Sequence, residues 1–354
     1  WQRALVRRLK KRPVAVLSAV LAVVVLASVA TTVSLTRVVT VQKQAAADRQ
    51  TLSSLTAKVG AHARDMDTLL FHVEVLLEGI SRATRDRVAA MRAGHPPPSD
   101  APKLYTHQQL ANGQGPPDTA THPHYDQKVS FDTSIYIFAP GAETPKTRAV
   151  LPHVAPLSEV LRESVIRSVA ADAVALSRAK ANKLVSEKAR ITWGYVGFAD
   201  GFMINYPGNA IYGEGYDPRK RPWYVRATGT YGPHWGAVYS DATGTGYLMP
   251  CNEAIYDNAG KLLAVAGLDM GLDRVIELLK VPGISGLQRS FIVDSDAKIV
   301  LSSDDVGKRT SNKQVIATER ERVPLAVHEV AAQIQRGATL CRTSSRGGRA
   351  RRRG

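Results

Sequence analysis

The sequence predicts an α+β fold built on an antiparallel sheet, and three observations lead there. Two strand pairs are written around tight-turn signals: Ile191–Phe198 and Phe202–Tyr206 flank Ala199-Asp200-Gly201, and Tyr247–Tyr256 and Lys261–Met270 flank Asp257-Asn258-Ala259-Gly260. Asp and Gly at such junctions accept the positive φ that a hairpin turn requires. Helical patterns lie before and beside these hairpins, without the regular strand–helix–strand alternation that marks a parallel sheet.

At 354 residues the chain has room for one or two domains. Its net charge of +16 would suggest a nucleic-acid partner if it were spread over the fold. It is concentrated at the ends. Residues 1–12 carry six bases (Arg3, Arg7, Arg8, Lys10, Lys11, Arg12) and residues 342–354 six more, neither segment with an acid. Without these twelve the remainder carries +4, so no nucleic-acid partner is expected. Cys251 and Cys341 are the only cysteines, too few for a disulfide scaffold and without zinc-site spacing.

Val14 to Leu35 contains no charged residue and is rich in Val, Leu and Ala. As a helix it would extend about 33 Å, enough to cross a hydrocarbon core of about 30 Å. A membrane helix is therefore expected over 13–36, after a basic cytoplasmic N-terminus over 1–12, since basic flanks resist translocation. A cleaved signal peptide, with Ser28-Val29-Ala30 as a cleavage site, remains the alternative, and a core helix a third. Either of the first two exports the rest of the chain.

Residues 37–94 read as one long stalk helix. Leu52, Leu55, Val59, Met66, Leu69, Val73, Leu76 and Ile80 recur in steps dominated by three and four, with His62 as a polar exception. That is a heptad seam. It suits a homodimeric coiled coil and, equally, a helix packed on its own domain. Pro96-Pro97-Pro98 cannot donate helical hydrogen bonds and end it. An irregular loop is expected over 95–128, a strand over Ser134–Phe138, a second helix from Pro156 to Arg190 and a short closing helix over Leu272–Leu279. A further hairpin, Phe291–Val293 with Ile299–Ser302, opens a second unit over 281–341 with a helix at 324–336. The basic tail is 342–354.

The segment from Gly215 to Asp269 is dense in groups suited to one task. Tyr216, Arg221, Trp223 and Tyr224 fall within nine residues, followed by Tyr239, Asp241 and Asp269. A zwitterionic ligand needs a cation for its carboxylate, an acid for its ammonium and an apolar wall. Arginine's planar fork binds both oxygens of a carboxylate, aspartate pairs with an ammonium, and Trp and Tyr combine a wall with hydrogen-bond donors. Each residue also has a plainer reading. Trp223 could pack a loop onto the sheet, Arg221 could bridge a surface carboxylate, and Asp269 could cap the helix near Leu272. Arg219 and Lys220 read as solvated loop bases.

With these residues in order, the sequence resembles the double Cache extracellular sensors of bacterial chemoreceptors, sensor kinases and cyclases, a module also found in the α2δ subunits of calcium channels. Their amino-acid-binding motif, a Tyr, an Arg five residues on, Trp-Tyr, then a later Tyr and Asp, is matched by Tyr216, Arg221, Trp223, Tyr224, Tyr239 and Asp269. The resemblance covers Ile191 to Leu279, including Tyr206-Pro207-Gly208 and Ala266-Gly267-Leu268-Asp269-Met270. It implies a PAS-like, membrane-distal Cache module over 95–280 that binds a small amino-acid-like ligand. Arg221, Trp223 and Tyr224 would hold the carboxylate with help from Tyr216, and Asp269 and Tyr239 the ammonium. Asp241 is added on charge grounds alone.

A full double module would continue through a membrane-proximal unit and a second membrane helix into a cytoplasmic output domain. Here the second module supplies one hairpin and one helix, so the chain is expected to be a truncated piece of such a single-pass inner-membrane receptor, its sensor periplasmic. No cofactor or metal is implied. His122, His124 and Asp126, with His107 and His95, sit in a loop without fixed geometry, and Cys251 with His234 lacks an orienting third group. No P-loop, dinucleotide fingerprint, nucleophile elbow or zinc-protease motif occurs. No enzyme activity is therefore expected. The alternatives are the same fold binding an amine, carboxylate or purine, and a non-sensing interaction ectodomain.

Overall fold

The computed structural model describes residues 13–278, 291–293 and 299–302. The basic segment 1–12, the turn 294–298, the helix expected at 324–336, Cys341 and the tail 342–354 lie outside the described residues. So do 279–290. The chain divides into two units, one ending at Ala61 and one beginning at His62.

Helix α1 runs from Pro13 to Arg92. Near its N-terminal end it is long and apolar enough to cross a membrane, with a mean hydropathy of 1.8 over its most apolar window. The expected seam divides along its length. Within the first unit Leu52 and Val59 are exposed, whereas within the second Val73, Leu77, Ile80 and Val88 are buried in the domain core. From His62 onward, then, the packed-on-its-own-domain alternative describes the helix.

Beyond α1 come β1 (Tyr105–Thr106), α2 (His107–Ala111), β2 (Ala120–His122), β3 (Gln127–Ser130) and β4 (Ile135–Phe138). The loop expected over 95–128 thus holds short elements. One of them, α2, starts at a capping box in which Thr106 and Gln109 satisfy each other's backbone N–H. Helix α3 (Pro145–Val154) has a similar box in Thr144 and Thr147, in a stretch where the sequence led to no expected element.

The single helix expected from Pro156 to Arg190 is in fact two, α4 (Leu157–Val169) and α5 (Arg178–Lys188), joined through a 3₁₀ turn at Ala173–Ala175. Ala170 and Leu176 adopt extended backbone and break the run. The break lets α5 fold back. Arg178 then pairs with both Asp132 (2.9 Å) and Glu159 (2.8 Å), and Asn182 joins Arg162 at 2.8 Å. Tertiary pairing overrides a continuous helical propensity.

The remaining elements are β5 (Ile191–Phe198), β6 (Phe202–Tyr206), β7 (Gly208–Asn209), α6 (Pro222–Ala227), β8 (His234–Trp235), β9 (Tyr239–Ser240), β10 (Tyr247–Tyr256), β11 (Leu262–Gly271), α7 (Leu272–Leu278), β12 (Phe291–Val293) and β13 (Ile299–Ser302). All three expected hairpins form. Among the described residues the main sheet has eight strands in the order β1-β4-β6-β5-β11-β10-β8, with β9 also on β10. Among the described residues only the β1–β4 pair is parallel.

Alternation assigns the two faces of the central strands. A Cβ on Gly194 would meet Leu268 together with Val165 and Leu161 of α4, and Glu253 faces Ser81 of α1. Helices therefore cover one face. Residues one step along these strands, Tyr195, Gly197, Asn252, Gly267 and Asp269, belong to the other face. There the segment between β7 and β10 is laid down.

Candidate ligand-binding site

The excursion from β7 to β10 carries the motif, and its local structure is written in its prolines and Asp217. Pro218 opens the 3₁₀ turn Pro218–Lys220 and Pro222 opens α6, the first helical position where a missing N–H costs nothing. Asp217 caps that turn by accepting from Arg219 N at 3.0 Å. The same carboxylate takes Arg219 Nε and Nη2, each at 3.0 Å, and this pairing holds it below the usual carboxylate range. Arg219 is thus committed to Asp217. Arg221 follows at the junction of the two helical turns with extended backbone, placed to project from α6 rather than along it.

The structure brings six of the seven candidate site residues to one cavity. Tyr216, Arg221, Trp223, Tyr239, Asp241 and Asp269 line it. Tyr224 does not. Its ring is buried beside Trp223 at 5.6 Å between centroids, and burial pushes its phenol up to about 12, with Arg219 pulling the other way.

At one wall Arg221 donates from Nη2 to the Ser240 carbonyl at 3.1 Å and lies 5.9 Å from the Tyr216 ring centroid. Its Nε is buried without a hydrogen-bond partner. A buried guanidinium donor left open is costly unless an acceptor reaches it. At the other wall Asp269 is only 1% exposed. Its Oδ1 accepts from the Tyr195 hydroxyl at 2.9 Å and its Oδ2 from the Tyr239 hydroxyl. Burial is the main influence on this carboxyl and lifts it to about 7, against the pull of the two phenols and Arg221 and with a push from Asp241. Asp269 does not cap α7. It faces the cavity from near the C-terminal end of β11.

Asp241 is held by its own turn. Its Oδ2 accepts from the hydroxyls of Thr243 and Thr245, from Thr245 N at 3.2 Å and from Trp193 Nε1 at 3.2 Å. It adds a second negative group to the lining.

The sequence reading missed Trp193, Tyr195, Met203, Asn205 and Tyr212, which also line the cavity. The first four sit on strands β5 and β6, where they read as ordinary core positions. The signal that could have marked them is glycine. At Gly197 a Cβ would stand 2.7 Å from Trp223 Cη2, and at Gly267 one would stand 2.4 Å from the Tyr195 ring. Two glycines on the cavity face of adjacent central strands leave room for two large rings, which meet with centroids 4.5 Å apart.

The other constellations resolve into packing. His122 lies edge-on to Tyr125 and Phe131 and accepts from His124 N at 3.3 Å. Among the described residues no three metal-ligating groups cluster. Cys251 is fully buried, and burial pushes its thiol well up.

No family model matches the chain. Its sequence relatives include the methyl-accepting chemotaxis proteins McpA and McpG of Pseudomonas putida. McpA is 26% identical over 136 residues, covering 38% of this chain and 21% of the relative, and McpG is 28% identical over 134 residues, covering 37% and 21%. The matched stretch thus spans about a fifth of the length of these relatives. Among solved structures, the ligand-binding domain of the Pseudomonas fluorescens chemoreceptor CtaA in complex with L-serine is 29% identical over 42% of this chain and 66% of that one, with a TM-score of 0.30. The resemblance to chemoreceptor sensors read from the motif is borne out in sequence: the chain is similar to methyl-accepting chemotaxis proteins.

Proposed function

We propose that this chain is the extracytoplasmic sensor part of a transmembrane receptor, and that its cavity binds a small amino acid. One observation carries the reading. A single cavity is lined by Arg221, whose Nε has no hydrogen-bond partner, and by Asp269, a buried acid that keeps a phenol on each oxygen. The guanidinium would take the ligand carboxylate and Asp269 its ammonium, while Trp223, Tyr216 and Tyr239 enclose the chain between them. Fixed cation, fixed anion and aromatic walls recognise a zwitterion better than either half alone, because each charge then meets its partner out of water. CtaA, a chemoreceptor similar to part of this chain, was crystallised with L-serine and with L-alanine, which agrees with this ligand class.

In this reading α1 anchors the chain in the membrane by its apolar N-terminal part, with the bases of 1–12 cytoplasmic and the sheet domain outside. Ligand closure would shift β10 and β11 against α1, which they touch through Trp235–Glu74 on β8 and Arg85–Tyr256 on β10, with two chains side by side along their stalks. The binding step would be non-catalytic. Two acids facing one base favour an amine as the second reading.

The test is a thermal-shift screen of the whole chain in lipid nanodiscs against the common L-amino acids, amines and small carboxylates. A micromolar ligand, about −8 kcal/mol of binding, raises the melting temperature at saturation by linkage. A shift with amino acids supports the reading, and a shift with amines alone replaces it by the second.

A further inference from the structure

Three residues of the central sheet form one row on the cavity face. Asn252 of β10 is paired with Gly267 of β11, and Gly267 with Tyr195 of β5. A side chain on the middle residue would separate the outer two. A Cβ there would stand 2.4 Å from Tyr195 Cε2 and Cζ and 2.5 Å from Asn252 Nδ2. Because the middle residue is glycine, Asn252 and Tyr195 meet across it, Nδ2 donating to the phenol oxygen at 3.1 Å. Tyr195 in turn donates to Asp269 Oδ1 at 2.9 Å. All three polar residues are buried, Asn252 at 2% exposure and Asp269 at 1%.

With Asp269 ionised, the hydrogens in this row have one consistent assignment. An ionised carboxylate only accepts, so the single phenol proton of Tyr195 must point at Asp269. The phenol oxygen can then only accept from its other neighbour, and an amide N–H is what Asn252 presents. We propose that Asn252 and Tyr195 are positioning residues for the Asp269 carboxylate: the amide locks the phenol as a donor, and the phenol fixes the carboxylate toward the ligand ammonium. Asn252 touches no ligand in this scheme and acts only through Tyr195. The proposal deepens the sensor reading and rests on it for the ligand's role, but the relay itself is a property of the unliganded chain.

The consequence is electrostatic. Asp269 is faced by Tyr195 from β5, by Tyr239 from β9, by Asp241 beyond β9, by Arg221 at the start of α6 and by Tyr212 and Tyr216 from the excursion after β7. Of these, Tyr195, Tyr239 and Arg221 favour its ionised form and Asp241 opposes it. Removing the amide frees the phenol to turn its proton elsewhere, so the carboxylate loses part of one stabilising hydrogen bond and ionises at higher pH.

The experiment tracks the Asp269 carboxyl carbon by NMR through a pH titration of the whole chain labelled in aspartate, without ligand. It compares the wild type with Asn252→Ala, the near-isosteric Asn252→Leu, Tyr195→Phe and the Asn252→Ala/Tyr195→Phe double variant. All three single changes are expected to raise the midpoint, Tyr195→Phe by about one pH unit or more, as loss of a hydrogen bond to a charged group implies. The double variant should match Tyr195→Phe alone, since the amide has nothing left to orient. A wild-type midpoint in both Asn252 variants, or an Asn252 effect that persists unchanged without the Tyr195 hydroxyl, overturns the proposal. A relay that titrates as expected in a chain that no L-amino acid stabilises would keep this inference and reject the sensor reading.

Discussion

The indole of Trp223 lies where a side chain on Gly197 would begin, its Cη2 2.7 Å from the position a Cβ would take. A helix-borne aromatic ring thus reaches the sheet through a gap left in β5. The ring then packs against Tyr195 at 4.5 Å between centroids, and Tyr195 is the residue that holds Asp269. One missing methyl group connects the excursion that carries Arg221 to the strand that carries the opposite charge.

Gly197→Ala should therefore force Trp223 out of place. Overpacking of this kind costs about 1–3 kcal/mol, to be read as a lowered denaturation midpoint with an unchanged slope. Ligand affinity should fall with it, whereas an alanine at Gly213, around which nothing lies within 4 Å, should leave both unchanged.

Arg221→Ala is expected to leave the fold intact, because the side chain makes one hydrogen bond, to the Ser240 carbonyl. Binding should lose about 2–5 kcal/mol, the usual cost of leaving a buried charge unpaired. Calorimetric titration beside a melting curve separates the two effects.

Asp217 acts through the loop rather than the ligand. Asp217→Ala removes both the cap on the 3₁₀ turn and the fork to Arg219. A lost N-cap costs about 0.5–2 kcal/mol. Affinity should weaken because Arg221 four residues on loses its fixed approach, and Asp217→Asn, which keeps an acceptor at the cap, should recover part of the loss.

The pH dependence of the unliganded chain has a definite sign. Burial holds the Asp269 carboxyl at about 7, above its range in an unfolded chain. The folded state therefore keeps a proton that the unfolded state gives up, and this contribution to stability is present below about pH 4 and lost as pH rises toward 7. Glu253 contributes in the same direction. It is buried on the α1 side of β10 near Ser81, Glu78 and Arg85, and burial raises it. Glu253→Gln and Asp269→Asn should each flatten the fall in melting temperature between pH 5 and 8. Asp269→Asn alone should also abolish binding.

The strands were the most legible part of the fold, because Asp200-Gly201 and Asn258-Ala259-Gly260 declare their turns locally. The long helix was legible for a similar reason, with Pro96 as its stop. The break between α4 and α5 was not, since Arg178 and Asn182 gain their partners, Asp132, Glu159 and Arg162, only in three dimensions. The site divides in the same way. Residues borne on the excursion stood out by density of type, and all except Tyr224, which packs behind Trp223, reach the cavity together. Trp193 and Tyr195 did not stand out, because an aromatic residue in a buried strand carries no sign of which face it serves. Their role emerges only from the register that puts Gly267 between Tyr195 and Asn252.

The central claim is that one cavity recognises both charges of an amino acid. Isothermal titration of the whole chain at pH 8, where Asp269 is ionised, with each L-amino acid and its deaminated and decarboxylated analogues tests it most directly. At least one L-amino acid should bind with a measurable heat, and the matching carboxylate and amine should bind at least tenfold more weakly. Arg221→Ala and Asp269→Asn should each abolish the difference. An amine or carboxylate that binds as tightly as its parent amino acid, or a chain that binds none of the three, would contradict it.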